Sequence, residues 1–168
     1  MLDFCTKRKQ IARVMVEIDK IDRKIVNLLM EDGRMPSAEV ARRIGNVSER
    51  VIRYRIENLV QQGIIRISAI PNPKKLGYNV VADVKVFVGP GQVREVASQL
   101  VGYDCVTYVG CSIGDTDLGI QIVAQTNEEL YGFITDVVGK IPGVQKTTTM
   151  IVPIIMKDIY QWSIPDSD

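Results

Sequence analysis

A chain of 168 residues, 46% hydrophobic and 24% charged, can bury one core or two small ones; with no apolar run near the ~20 residues of a membrane helix and no secretion signal in residues 1–16, a cytoplasmic protein without membrane partners is expected. The formal charge of +1 hides an asymmetry: residues 1–67 carry fourteen Lys/Arg against nine Asp/Glu, net +5, and residues 68–168 carry seven against eleven, net −4, which favours two domains with a polyanion-seeking first half. Histidine is absent, which excludes Ser-His-Asp and Cys-His relays, His-containing zinc sites and an imidazole base.

Residues 1–17 form a basic N-terminal extension with Lys7, Arg8, Lys9 and Arg13; it reads as a flexible arm touching phosphates, with an extra helical turn packed elsewhere as the alternative. From Asp19 the pattern turns helical. Ile18, Ile21, Ile25 and Leu28 recur at spacings of three and four, Asp19 serves as cap with Asp22 three residues on, and Gly33 supplies the stop. Ser37 is expected to cap a second helix, with Glu39 in its first turn, Val40, Ala41 and Ile44 facing inward, and Gly45 closing it. After Gly45-Asn46-Val47, Ser48 caps a third helix that turns Ile52, Ile56 and Leu59 to the core and leaves Glu49, Arg50, Arg53 and Tyr54 outward.

Two capped helices across a tight glycine turn, with a bracing helix before them, make the layout of a helix-turn-helix, whose second helix presents its N-terminal side chains to the major groove. The candidate DNA-binding residues are Arg34, Ser37, Arg42, Arg43, Ser48, Glu49, Arg50, Arg53 and Tyr54. Arg50 and Arg53 would meet bases or phosphates, Ser48 would cap its helix within reach of a phosphate, and Arg34, Ser37, Arg42 and Arg43 would seat the domain on the backbone.

Gly63 ends the third helix, and residues 64–70 fit a strand or a linker equally well. The stiff, polar run Pro71-Asn72-Pro73-Lys74-Lys75-Leu76-Gly77 suits neither a helix nor a central strand. The expected division is therefore a winged-helix-like helix-turn-helix domain over 18–67, a linker over 68–78, a second domain over 79–157 and a tail over 158–168.

Alternation of Val80, Ala82, Val84, Val86 and Val88 predicts a strand over 79–88 with one buried face. A helix follows from Val93 to about Val101. Strands are predicted over 105–113 and 117–125, joined by the turn Gly114-Asp115-Thr116. Thr126 and Glu129 resemble a capping box for a helix carrying Leu130, Phe133, Ile134 and Val137, and Pro142-Gly143 turns the chain into a last strand whose Pro153 suggests an edge or a bulge. The fold class is α+β: the β-α-β-β-α-β order is the ferredoxin-like split βαβ arrangement, with two helices on one face of a four-stranded antiparallel sheet. Val81, Phe87 and Tyr108 would leave an apolar patch on the other face, and a second copy of the sheet is the simplest cover.

Chemistry has few tools here. Cys5, Cys105 and Cys111 are too few and too scattered for a disulfide framework or a zinc site, and no phosphate-cradling glycine loop is present. Asp115 and Asp117 are carboxylates without a partner base, so no catalytic residue, metal or cofactor is assigned and an enzyme is not expected.

The chain over residues 18–157 resembles the leucine-responsive regulator/AsnC (Lrp/AsnC, feast/famine) family of transcription regulators. The resemblance is carried by Ile18-Asp19 with Asp22 and Ile25, Asp32-Gly33-Arg34, Val40-Ala41 with Ile44-Gly45, and Ser48 with Arg55 and Leu59. It continues through Gly63-Ile64-Ile65, Leu76-Gly77-Tyr78, Gly114-Asp115-Thr116-Asp117-Leu118, Pro142-Gly143-Val144, Thr147, Thr149 and Lys157. It implies operator binding to double-stranded DNA and a homodimer formed through the sheets that assembles into tetramers, octamers or larger rings. It also implies an amino-acid effector held between dimers near Gly110, Ser112, Gly114, Asp115, Thr116 and Asp117, meeting Thr147 and Thr149 of a neighbouring subunit. Physically, backbone N–H groups at a glycine turn can hold a carboxylate, and Asp115 or Asp117 an ammonium; the same residues also make an ordinary hairpin turn.

The leading expectation is a sequence-specific DNA-binding transcription regulator modulated by a small molecule such as an amino acid. The alternative is an amino-acid-sensing module acting through protein partners, which salt dependence separates, because DNA binding falls steeply as salt rises while the sensor shows no DNA affinity even at low salt.

Overall fold

The computed structural model describes residues 18–165; the basic extension of residues 1–17, with Cys5, and the last three residues lie outside the described residues. The chain divides into two compact units. One runs through Ala69 and takes up the tail from Asp158, and the other is Ile70–Lys157. No helix among the described residues is long and apolar enough to cross a membrane.

The first unit holds α1 (Lys20–Glu31), α2 (Ser37–Ile44) and α3 (Glu49–Gln61). Asp19 opens α1 with a reciprocal box: its carboxylate accepts the Asp22 N–H at 2.8 Å, and that of Asp22 accepts the Asp19 N–H at 3.2 Å. The helix stops before Gly33, because Asp32 is already extended and its carboxylate accepts the Arg34 N–H at 2.9 Å, a turn that competes with further helix. Ser37 is not the cap of α2. It is the first helical residue, and Pro36 stands before it, its fixed φ of −61° and extended ψ of 142° starting the helix while its carbonyl accepts the N–H groups of Glu39 and Val40. Gly45 at φ +74° and Asn46 at φ +56° form the tight turn, and Ser48 caps α3 by accepting the Val51 N–H at 3.4 Å. Ile25, Val26, Met35, Val40, Ile52 and Leu59 make the core. Residues 64–70 form neither helix nor strand.

The second unit runs β1 (Val80–Val88), α4 (Val93–Leu100), β2 (Val106–Cys111), β3 (Leu118–Ala124), α5 (Asn127–Gly132) and β4 (Val144–Ile151). The strands are antiparallel in the order β2-β3-β1-β4, which places β4 at an edge, before Pro153. Thr126 caps α5 by accepting the Glu129 N–H at 3.2 Å, while the Glu129 carboxylate reaches past it to the Gln125 N–H. Beyond α5 the chain widens into a π turn over Phe133–Val137 and tightens into a 3-10 turn over Val138–Lys140. Ala82, Val84, Val86 and Val88 meet Val96, Leu100, Leu130 and Val138 on the helical side.

The open face is less apolar than its alternation implied. Val81 is only 3% exposed, sharing its burial with Val123 directly opposite on β3. Phe87 is half-buried beneath the Lys146 ammonium, 5.4 Å from its ring centre. Tyr108 does stand in solvent, 55% exposed.

Candidate functional site

The phase of α3 decides what the helical unit offers. Ile52 is fully buried and Leu59 nearly so, which rotates Glu49, Arg50, Arg53 and Tyr54 to solvent along the opposite side, with exposed Ser48 at the helix start. Tyr54 is 64% exposed. Arg53 donates to Glu49 one turn back at 2.6 Å, whereas Arg50 makes no ion pair among the described residues.

On α2 the cations are organised differently. Arg42 grips Glu39 with Nε and Nη2 at 2.8 and 2.6 Å, and Arg43 donates to Glu39 at 2.9 Å and to Glu31 at 3.0 Å. The Arg42 guanidinium, then that of Arg43, holds the Glu39 carboxyl down at about 2, and both guanidinium groups are held more firmly protonated in return. Arg34 is exposed, its backbone N–H donating to the Asp32 carboxylate; Ser37 is half-buried in the first turn of α2. Arg55, one turn along α3, has a different task. It bonds Asp19 at 2.7 Å and Asp22 at 2.8 Å, tying α3 to the start of α1, a pairing across more than thirty positions that no local sequence signal announces.

The turn between β2 and β3 is held from three sides. Asp117 accepts the Val88 N–H at 2.8 Å and so fastens the turn to the end of β1. Thr116 shares its hydroxyl proton between the carbonyls of Val86 and Leu118, and the Ser112 N–H donates to the Asp117 carbonyl at 2.9 Å. Gly114 has a φ of +146°, which a side chain would strain. Asp115 is exposed and receives the Lys85 ammonium at 2.8 Å, a bond that draws its carboxyl below the usual carboxylate range.

Lys85, which the alternation of β1 places on the face away from the buried valines, is not among the candidate site residues. It lies opposite Gly119, which in turn lies opposite Gly110, so two side-chain-free positions stand in a row on one side of the cation, with Thr148 of β4 on the other. Tyr108 folds over Gly110, where any Cβ would collide with its hydroxyl. Thr147 and Thr149 lie elsewhere. They pair with Val86 and Val84, whose side chains point into the helical core, so within one chain they belong to the face opposite Lys85 and Asp115.

Residues 18–60 match the family model of the AsnC-type helix-turn-helix domain, and residues 81–161 that of the Lrp/AsnC ligand binding domain. The chain is 42% identical over 138 residues to the HTH-type transcriptional regulator FL11 of Pyrococcus abyssi, covering 82% of this chain and 90% of the relative. It is 40% identical over 143 residues to an uncharacterized HTH-type transcriptional regulator of Pyrococcus horikoshii, covering 84% and 90%. Among solved structures it is similar to E. coli AsnC, with a TM-score of 0.77 at 30% identity over 86% of this chain and 99% of that one. It shares its fold with a Neisseria meningitidis transcriptional regulator solved as a complex with L-Met, with a TM-score of 0.81 at 24% identity over 89% and 97%. With a helix-turn-helix matched in its first unit and a ligand-binding domain in its second, this chain belongs to the Lrp/AsnC family of DNA-binding transcription regulators.

Proposed function

We propose that the helical unit reads operator DNA through the first two turns of α3. Arg50 and Arg53 meet base edges or the phosphates beside them, Tyr54 and Glu49 border that contact, and Ser48 and Ser37 stand at helix starts suited to phosphates, while Arg34, Arg42 and Arg43 seat the unit on the backbone. The observation that carries this reading is the phase of α3, which buries Ile52 and Leu59 and leaves Arg50 exposed without an ion pair among the described residues. Two copies joined through their ligand-binding units present two such helices to half-sites about one helical turn apart, in the cytoplasm where the DNA lies.

The second unit takes an amino acid at the turn over residues 110–117. The effector's carboxylate meets backbone N–H groups around Gly114, and its ammonium meets Asp115 in exchange for Lys85. Asp115 suits this better than Asp117, because its present partner is an exposed lysine, whereas Asp117 holds a strand end in place. The L-Met complex of the Neisseria regulator supports an amino acid as the class of ligand. Thr147 and Thr149, on the other face within one chain, reach such a ligand only from a neighbouring copy, and the effector acts by binding one assembly state more tightly than another.

Footprinting of the purified chain on genomic fragments across a salt series tests the reading. Protected sites are expected, with affinity falling by a log–log slope of about −0.9 per phosphate neutralised. No DNA affinity at low salt, together with amino-acid binding, would favour a sensor that works through protein partners. Sedimentation with each amino acid in turn tests the effector, and identical profiles throughout would remove it.

A further inference from the structure

The tail does not trail from the sheet unit. From Asp158 it belongs to the helical unit, entering through a compact turn in which the Gln161 N–H donates to the Asp158 carbonyl at 2.9 Å and the Asp158 N–H to the Gln161 side chain at 3.0 Å. It then passes α1 as neither helix nor strand. The Asn27 side-chain amide pairs with both backbone groups of Ile164, donating to its carbonyl at 3.0 Å and accepting its N–H at 2.8 Å. One turn earlier on α1, Arg23 donates to the Pro165 carbonyl at 3.3 Å. The Ile164 side chain packs on the core built from Ile25, Val40, Ile52 and their neighbours.

These contacts make a built receptor for extended chain. A carboxamide that satisfies the N–H and C=O of one residue copies a strand partner, and it accepts only a residue held extended. Pro165 supplies that condition, since a residue before proline is driven out of the helical region. Ile164 adds an apolar anchor. The chain thus passes between its units twice, at residues 69–70 and again at 157–158.

We propose that the α1 surface at Arg23 and Asn27 is a docking groove for an extended Ile-Pro segment, filled by the chain's own tail. So filled, it makes residues 158–165 a strap that leads from the ligand-binding unit back to the core beneath the DNA-reading helix. The occupant is fixed by continuity: the segment seated there is the one that follows β4 in the same chain.

Trp162, the sole tryptophan of the sequence, lies two residues from the anchor and reports the docking directly. In the full chain, Asn27→Ala removes the clamp while favouring the helix it sits on. It is expected to lower Trp162 fluorescence anisotropy and to quicken deuterium uptake across α1. A chain ending at Lys157 is expected to show the same quickened uptake, reversed by adding a synthetic peptide of residues 158–168. Operator affinity should fall in both variants. That arm alone rests on α3 reading DNA: an unmodified chain without operator affinity would count against the DNA reading and leave the docked tail standing, whereas unchanged operator affinity in an Asn27→Ala chain whose anisotropy has fallen would overturn the strap's link to the DNA-reading helix.

Unchanged Trp162 anisotropy in a folded Asn27→Ala chain would overturn the proposal, and so would unchanged α1 exchange in the shortened chain. Exchange across α1 that quickens as the unmodified protein is diluted would place a second copy's tail in the groove and overturn the assignment to the chain's own.

Discussion

Replacing Arg50 and Arg53 together by alanine should abolish most operator affinity while leaving the protein folded, and the structure sets the size of both effects. Arg50 makes no ion pair among the described residues, so none has to be broken to free it for DNA; a good bidentate base contact discriminates by about 1–3 kcal/mol. Arg53 must first leave Glu49, but that pair joins side chains 64% and 48% exposed one helical turn apart. Such pairs contribute only about 0.3–0.5 kcal/mol, well below what a base contact returns, so the pair does not hold Arg53 away from DNA. The double variant should therefore lose about 2–5 kcal/mol of operator binding, roughly 30-fold to a few thousandfold. Its folding cost is the lost Glu49 pair, partly offset by the better helix propensity of alanine, so melting should move by no more than about 2 °C. Titration of a labelled operator fragment at fixed salt, read by fluorescence anisotropy beside a circular-dichroism melt, measures both. A variant that melts normally and binds within about twofold of the original would take these arginines off the reading surface.

Arg55→Ala should destabilise the helical unit by about 1–2 kcal/mol, because it cuts two partly covered charged hydrogen bonds to Asp19 and Asp22 at once; an unchanged urea midpoint for that unit would refute the clamp. The Glu39 carboxyl sits at about 2 against an ordinary 4.5, so its stabilising hold on Arg42 and Arg43 is complete above about pH 4.5 and is lost as pH falls toward 2. Melting temperature should thus decline more steeply over that window in the original protein than in Glu39→Gln, and parallel curves would dismiss the linkage. At the ligand turn, Asp115→Asn should weaken binding of the effector identified by sedimentation, while Lys85→Met, which frees the carboxylate, should tighten it. Isothermal titration decides, and equal affinities in both variants would place the ammonium elsewhere.

Much of the fold was written locally. The Asp19 and Ser48 caps, the three-and-four spacing of Ile21, Ile25 and Leu28, and the alternation of Ala82, Val84, Val86 and Val88 are short-range patterns, and each produced the element it announced. The same local chemistry misplaced the start of α2, because Ser37 is as good a cap as Ser48 in isolation while Pro36 already supplied the extended residue that the helix needed. It also left residues 64–70 undecided, since a short β-rich run becomes a strand only where another strand accepts it.

By itself, then, the chain determined its element order, the burial of one side of α3, and the outward cations at Arg50 and Arg53, since all of these follow from periodicity and caps within a few residues. Only the tertiary structure decided which charges are spent on each other: Arg42 and Arg43 on Glu39, Arg55 on Asp19 and Asp22, Lys85 on Asp115. It alone separated Thr147 and Thr149 from Asp115 by a sheet, and it alone brought Ile164 back to Asn27 across 137 positions. These depend on strand register and chain return, and contacts between distant residues carry no periodic signature in the sequence that forms them.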